Sequence, residues 1–460
     1  MTIRRACAHS GWLAACAMFA TLIGCGGGGG GTGTGATGGT GGTGAIGGGC
    51  PSSSATGTLA IEISGTPSGS GQVIVGPAGT GMQVTTSSNL TVAAGPQAVT
   101  AYLTAEPAAL VRTAYTPSVD DTNPCVHAGQ TTTVHVVYTL IDTSGVVWTG
   151  LTNGASTSTL LGYDPATVGA SGNVAAVVAA DTHGADGFTF DPLGNLWVTG
   201  GTTADPGVAR YPATMLASDG AKTPDFTLDS AVFSSAIPGA KVVTFDLDGN
   251  LWVSVVGAGK VVKFAATQLV PGGSTDPIVE ESGINAPEGV AFDAAGNMWV
   301  ASSGDSKVLR IDAAHLTMTG TGADLAISAQ TGGTINTPLI TPLGLAFDGS
   351  GNLWVNYDGT IAELPASILT SVGTLMVTPP VQLVTDVAAL PEGIAFDEQG
   401  GLWFSYTAGK FARFAASQLV GQGPATPSTI ITSADIGTGG DAGWFAFYPA
   451  PAFTPLGHAF

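Results

Sequence analysis

The sequence predicts an all-β protein, a six-bladed β-propeller preceded by a small β-sandwich. Three observations carry that expectation. A nine-residue pattern, Phe-Asp-x-x-Gly-Asn-Leu-Trp-Val, recurs as FDPLGNLWV (190–198), FDLDGNLWV (245–253), FDAAGNMWV (292–300), FDGSGNLWV (347–355) and FDEQGGLWF (396–404). The tryptophans Trp148, Trp197, Trp252, Trp299, Trp354 and Trp403 fall 47 to 55 residues apart, a period that marks an array of like units. Within each period, apolar runs of strand length alternate with Gly, Asn and Asp turns, and no helical periodicity intervenes.

Taken in order, residues 1–25 read as a targeting segment. Arg4 and Arg5 form a basic start, and Trp12 to Ile23 is an apolar run too short to span a bilayer comfortably. Its end, Leu22-Ile23-Gly24-Cys25, resembles the bacterial lipobox. That resemblance implies lipidation of Cys25, which would become the mature N-terminus, and Gly26 after it points to the outer membrane. An ordinary signal peptide is the alternative. Residues 26–50 are almost all Gly, Thr and Ala, which cannot bury enough apolar surface to offset backbone entropy, so a flexible tether is expected.

Composition narrows the partners. The chain has 460 residues, with 12 Lys and Arg against 32 Asp and Glu and a formal net charge of −20. So acidic a chain lacks the basic patch that nucleic acid requires. Of the five cysteines, Cys7 and Cys16 leave with the signal and Cys25 takes lipid. Cys50 and Cys125 remain, and in an oxidising compartment a single pair reads as a disulfide; two unpaired buried thiols are the alternative.

Residues 51–142 alternate apolar and polar at period two in Leu59-Ala-Ile-Glu-Ile63, Gln72-Val-Ile-Val75 and Val134-His-Val-Val-Tyr138. The order of these elements resembles the PEGA or carboxypeptidase-regulatory-like β-sandwiches, which implies a spacer. Of the two histidines here, His127 and His135, the second sits mid-strand among Thr and Val and is read as a sheet residue rather than a metal ligand.

Residues 145–460 hold the array. Each unit has a Gly-[Val/Ile/Leu]-Ala-Phe strand, an Asp-x-x-Gly-Asn turn, a Leu-Trp-Val strand, a third strand such as Lys260–Phe264, an Ala-rich turn and a last apolar run. The first unit starts at 146 with Val-Val-Trp148 and lacks its Phe-Asp strand, and Gly443-Trp-Phe-Ala-Phe447 at the other end supplies a matching piece. The last strand should therefore complete the first blade. This motif set resembles the NHL-repeat propellers and, more narrowly, the streptogramin-lyase-like and gluconolactonase-like six-bladed families.

Four residues before each repeat phenylalanine stand Asp186, Lys241, Glu288, Leu343, Glu392 and Gly443. Carboxylates converging from Asp186, Glu288 and Glu392 would suit Ca²⁺, and the resemblance to gluconolactonase-like enzymes points to the same glutamates. A solvated rim is the simpler reading and is preferred. Among His183, His315 and His458, only His183 lies near a channel mouth, where a lyase would need an acid–base group. Arg210, Lys263, Arg310 and Arg413 occupy one recurring position in the third strand, read as a repeated structural bond to acidic or carbonyl groups of the same or the adjacent blade, which Glu363 interrupts; a ring of ligand contacts is the alternative. The expectation for function is a lipid-anchored, non-catalytic binding protein of the cell envelope with a protein or glycan partner. The alternative is a metal-dependent lactonase-like or lyase-like enzyme at the channel mouth.

Overall fold

A computed structural model describes residues 50, 52–66, 70–76, 81–102, 104–106, 113–141, 147–152, 158–164, 166–182, 184, 187–191, 194–200, 207–234, 239–246, 248–330, 339–357, 359–385, 393–397, 399–406, 410–436 and 441–447. They are almost entirely strand and turn. The α-helical pieces among them are single turns, Ala231–Ser234 and Ala366–Leu369.

The N-terminal unit has a mixed five-stranded sheet in which Thr56–Ser64 runs parallel to Thr131–Ile141, and a three-stranded sheet centred on Ser70–Val75. Period-two alternation sends Leu59, Ile61, Val134 and Val136 inward, where they meet Val73, Val75 and Val99 of the second sheet in one core. Cys50 is bonded to Cys125, closing a loop with a sequence separation of 75.

From Val147 onward the described residues form six sheets, each with four antiparallel strands. Blade 1 runs Asp441–Phe447, Val147–Thr152, Ser158–Tyr163, Val178–Thr182 from the inside outward. Blade 2 starts with Phe188–Phe190, blade 3 with Ala240–Phe245, blade 4 with Pro287–Phe292, blade 5 with Leu345–Phe347 and blade 6 with Ile394–Phe396. Each of these inner strands neighbours the next, and the sixth neighbours Asp441–Phe447, which neighbours the second, so the order closes on itself. The molecule is a β-propeller. The closing strand is antiparallel to Val147–Thr152, with Trp148 opposite Ala446.

The repeat motif explains itself in bonds. In blade 3, Asp246 Oδ1 accepts from the Asp248 and Asn250 backbone N–H, at 3.0 and 2.9 Å, which fixes the turn. Its Oδ2 accepts from Trp252 Nε1 at 2.8 Å, so the indole is held by the turn that precedes its strand. Asn250 donates to Asp246 and accepts from the Ala266 backbone N–H at 3.1 Å, tying the turn to the exit of the third strand. The same set recurs from Asp191, Asp293 and Asp348. The indoles then pack against the phenylalanine of the next blade, as Trp197 on Phe245 at 5.6 Å and Trp354 on Phe396 at 6.0 Å between ring centroids. An apolar cluster fills each blade junction.

A fifth strand extends five of the six sheets. The segment between a blade's third and fourth strands reaches back and pairs, in parallel, with the outer strand of the preceding blade. Gly373–Val377 does this on Leu325–Ala329, Gln422–Pro424 on Gln382–Val384 and Gly320–Thr321 on Val279–Ser282. Gly220–Ala221 pairs with Val178–Thr182, and Gly172–Asn173 with Thr429–Thr432, the latter joining blade 1 to blade 6.

Candidate functional site

Register places one residue of each inner strand at a common level, two before the partner of the repeat tryptophan: Gly187, Val242, Gly289, Gly344, Gly393 and Trp444. Five blades put a glycine or valine there and blade 1 puts an indole. A Cβ on Gly393, in the adjoining blade 6, would lie 2.6 Å from the Trp444 Cα. A Cβ on Gly289, in blade 4 on the far side of the ring, would lie 3.3 Å from Trp444 Cη2. Trp444 is 8% exposed and packs in one cluster with Val242 of blade 3. The indole therefore crosses the axis. Its Nε1 is buried and finds no acceptor among the described residues.

Of the three carboxylates read as a calcium set, Glu288 sits half-buried on the inner strand of blade 4, beside Gly289. Asp186 and Glu392 lie outside the described residues, as do His183, His458 and Cys25. Among the described residues no three His, Cys, Asp or Glu side chains gather as a metal-binding group. His315 is exposed on the outer side, its Nδ1 2.9 Å from Asp324 Oδ2, and that contact raises its pKa. His135 pairs with Asp120 at 2.7 Å, which likewise raises the His135 pKa. His127 is exposed.

The recurring cations form a second level, on the turn side of the blade junctions. Each faces its tryptophan across the strand pair and lies near the ring, with Lys263 Nζ 5.1 Å from the Trp252 centroid and the guanidinium carbons of Arg210, Arg310 and Arg413 at 5.5, 5.9 and 6.0 Å. Lys263 pairs with Asp246 at 3.2 Å and Arg413 with Asp397 at 2.5 Å, both carboxylates being the turn aspartates. Arg210 and Arg310 pair instead with Asp225 and Asp312, and each also donates to a leucine carbonyl of the following blade, Leu269 and Leu369. Blade 6 also shows why its motif reads Gly-Gly: a Cβ on Gly401 would fall 2.2 Å from Arg413 Nη2, because the guanidinium occupies the place of the missing asparagine.

Blade 5 breaks the series. Glu363 stands opposite Trp354 where blades 2, 3, 4 and 6 have Lys or Arg and blade 1 has Gly162. The cleft between blades 5 and 6, lined by Asp348, Asn352, Trp354, Glu363, Phe396 and Leu419, has a volume of about 480 Å³. The equivalent cleft between blades 3 and 4, which holds Lys263, has about 260 Å³. Burial and the neighbouring Asp348 carboxylate push the Glu363 pKa up.

No family model matches the chain, and no curated protein matches it. Solved structures do. It is similar to a streptogramin B lyase, at 15% identity over 50% of this chain and 65% of that one, with a TM-score of 0.36. It is similar to a virginiamycin B lyase from Staphylococcus aureus, at 18% identity over 50% of this chain and 66% of that one, with a TM-score of 0.32. The aligned part thus spans just under two thirds of either lyase. The WD40 β-propeller domain of Doa1 is also similar, at 11% identity over 60% of this chain and 76% of that one, with a TM-score of 0.39.

Proposed function

We propose that this chain is a non-catalytic binding protein of the bacterial cell envelope, anchored by lipid at Cys25, whose propeller presents a surface to a protein or glycan partner. The observation that carries the reading is Trp444. Its indole spans from blade 1 to Gly289 of blade 4, so the axis that would lead a substrate to a channel-mouth centre is filled by the protein's own side chain. The lipid anchor rests on the sequence alone, as does the outer-membrane address. A Ca²⁺ site at Asp186, Glu288 and Glu392, serving a lactonase-like centre, is the second reading, supported by the glutamate resemblance.

Two measurements separate them. Elemental analysis and a lactone-hydrolysis screen are run on wild type and on Glu288→Gln/Glu392→Gln. Equal, background hydrolysis without stoichiometric calcium, together with saturable binding of a purified envelope protein or glycan, is the expected result. Calcium-dependent turnover abolished in the double variant would replace the binding reading with the enzymatic one. Metabolic labelling with a fatty acid should mark wild type and leave Cys25→Ala unlabelled.

A further inference from the structure

We propose that the cleft between blades 5 and 6 is a binding site for an organic cation, an alkylammonium or guanidinium group, held between Asp348 and Glu363 beside Trp354. The chain itself provides the comparison. In blades 2, 3, 4 and 6 the third-strand residue facing the tryptophan is a cation of the protein's own, within 5.1 to 6.0 Å of the indole centroid. In blade 5 that residue is Glu363, so the internal cation is replaced by a second negative charge, while the turn aspartate remains.

Asp348 keeps its repeat bonds, accepting from the Ser350 and Asn352 backbone N–H at 2.8 and 3.0 Å and from Asn352 Nδ2 and Trp354 Nε1 at 2.8 and 3.0 Å. Four donors hold its two oxygens in place, and in blades 3 and 6 the same oxygen, Oδ2, also takes the cation. The space is there as well. The cleft has about 480 Å³ against about 260 Å³ where Lys263 fills its own, and it falls in the range of roughly 300–1,000 Å³ usual for small-ligand sites. Two carboxylates select a cation, and the Trp354, Phe396 and Leu419 walls favour one carried on a carbon chain over a hydrated metal ion. The inference deepens the binding reading by naming a ligand chemistry, and rests on that reading only for its biological use.

The test is calorimetric titration of the full chain, in detergent at neutral pH, with agmatine as the free amine and with a capped Gly-Lys-Gly peptide as the basic side chain. Saturable 1:1 binding is expected, weakened about tenfold by Glu363→Gln and abolished by Glu363→Arg, which puts back the repeat's own cation. Glu363→Arg should also raise the unfolding midpoint, which shows that the variant is folded. Binding by the peptide but not agmatine assigns the site to a basic side chain of a partner; the reverse assigns it to a free amine. Equal binding by wild type and Glu363→Arg, no binding by either probe, or Glu363-dependent binding of Ca²⁺ alone would overturn the proposal. None of these outcomes alters partner binding measured separately, so the site and the broader reading can fail independently.

Discussion

The Trp444 indole reaches from blade 1 to the opposite wall of the ring, where it faces Gly289 so closely that a Cβ there would crowd it. A Cβ on Gly289 would meet the Leu343 carbonyl oxygen at 2.4 Å as well as the indole at 3.3 Å. Trp444→Ala should leave a cavity on the axis and cost about 3–5 kcal/mol, read as a lowered midpoint in urea. Gly289→Ala should also destabilise, by displacing backbone rather than by emptying space. An unchanged midpoint for Trp444→Ala would mean that the indole is not packed as described.

The blade 6 pair makes a sharper prediction. Asp397 is 1% exposed and takes the Arg413 guanidinium at 2.5 Å. Removing Arg413 alone should cost about 3–5 kcal/mol, since it leaves a buried carboxylate one partner short. Gly401→Asn alone should also destabilise, by collision with that guanidinium. Combined as Gly401→Asn/Arg413→Ala, the two restore the arrangement of Asn250 and Asp246, and the loss should be smaller than for Arg413→Ala alone. A strictly additive double variant would refute the substitution of one group for the other.

Glu281, on the outer strand of blade 3, is 2% exposed, and burial raises its pKa from the ordinary 4.5 to about 7 despite the opposing influence of His315. The folded state thus holds this proton more tightly than the unfolded chain. Unfolding releases it, and the Glu281 contribution to stability declines as pH rises from about 4.5 through about 7. The raised pKa of His315 acts in the same direction. Glu281→Gln should be more stable than wild type at pH 8 and nearly equal to it at pH 4. A gap that does not widen with pH would show that Glu281 is not the titrating group.

How far the sequence alone carries can be judged from single residues. The propeller class is legible because Asp, Gly, Asn and Trp each have a bond or a backbone conformation to satisfy at fixed spacing, as Asp246, Gly249 (φ 74°), Asn250 and Trp252 do. The cation series is legible as structural for the same reason, and its ion pairs with turn aspartates are present at Lys263 and Arg413. The plug is not. Gly443-Trp-Phe-Ala-Phe447 has one residue more than Gly-Ile-Ala-Phe, and the register shift near Thr149 absorbs it, so that Trp444 takes the glycine's place. The back-reaching fifth strands escape because segments such as Gly320–Thr321 are too short for any periodicity. Two of the three carboxylates read as a calcium set lie outside the described residues, while Glu363, read as an interruption of the cation series, lines the cleft of about 480 Å³ between blades 5 and 6.

The Cys50–Cys125 bond also yields a number. A loop of this length should contribute about 4–5 kcal/mol in the chain-entropy model, and Cys50→Ala/Cys125→Ala should lose up to that amount when unfolding of the N-terminal unit is followed by Tyr115 and Tyr138 fluorescence or hydrogen exchange. Loss of protection confined to residues 52–141 is expected.

Because residues 441–447 form the innermost strand of the blade that begins at Val147, the first blade waits for the last. A chain emerging from a ribosome or a translocation pore can shape its middle blades early, but its circle stays open until residues 441–447 have emerged. Contacts spanning nearly three hundred residues make that closing step slow relative to local pairing. A truncation that removes residues 441–447 would leave the inner edge of Val147–Thr152 unpaired, an invitation to a neighbouring chain to supply the strand instead.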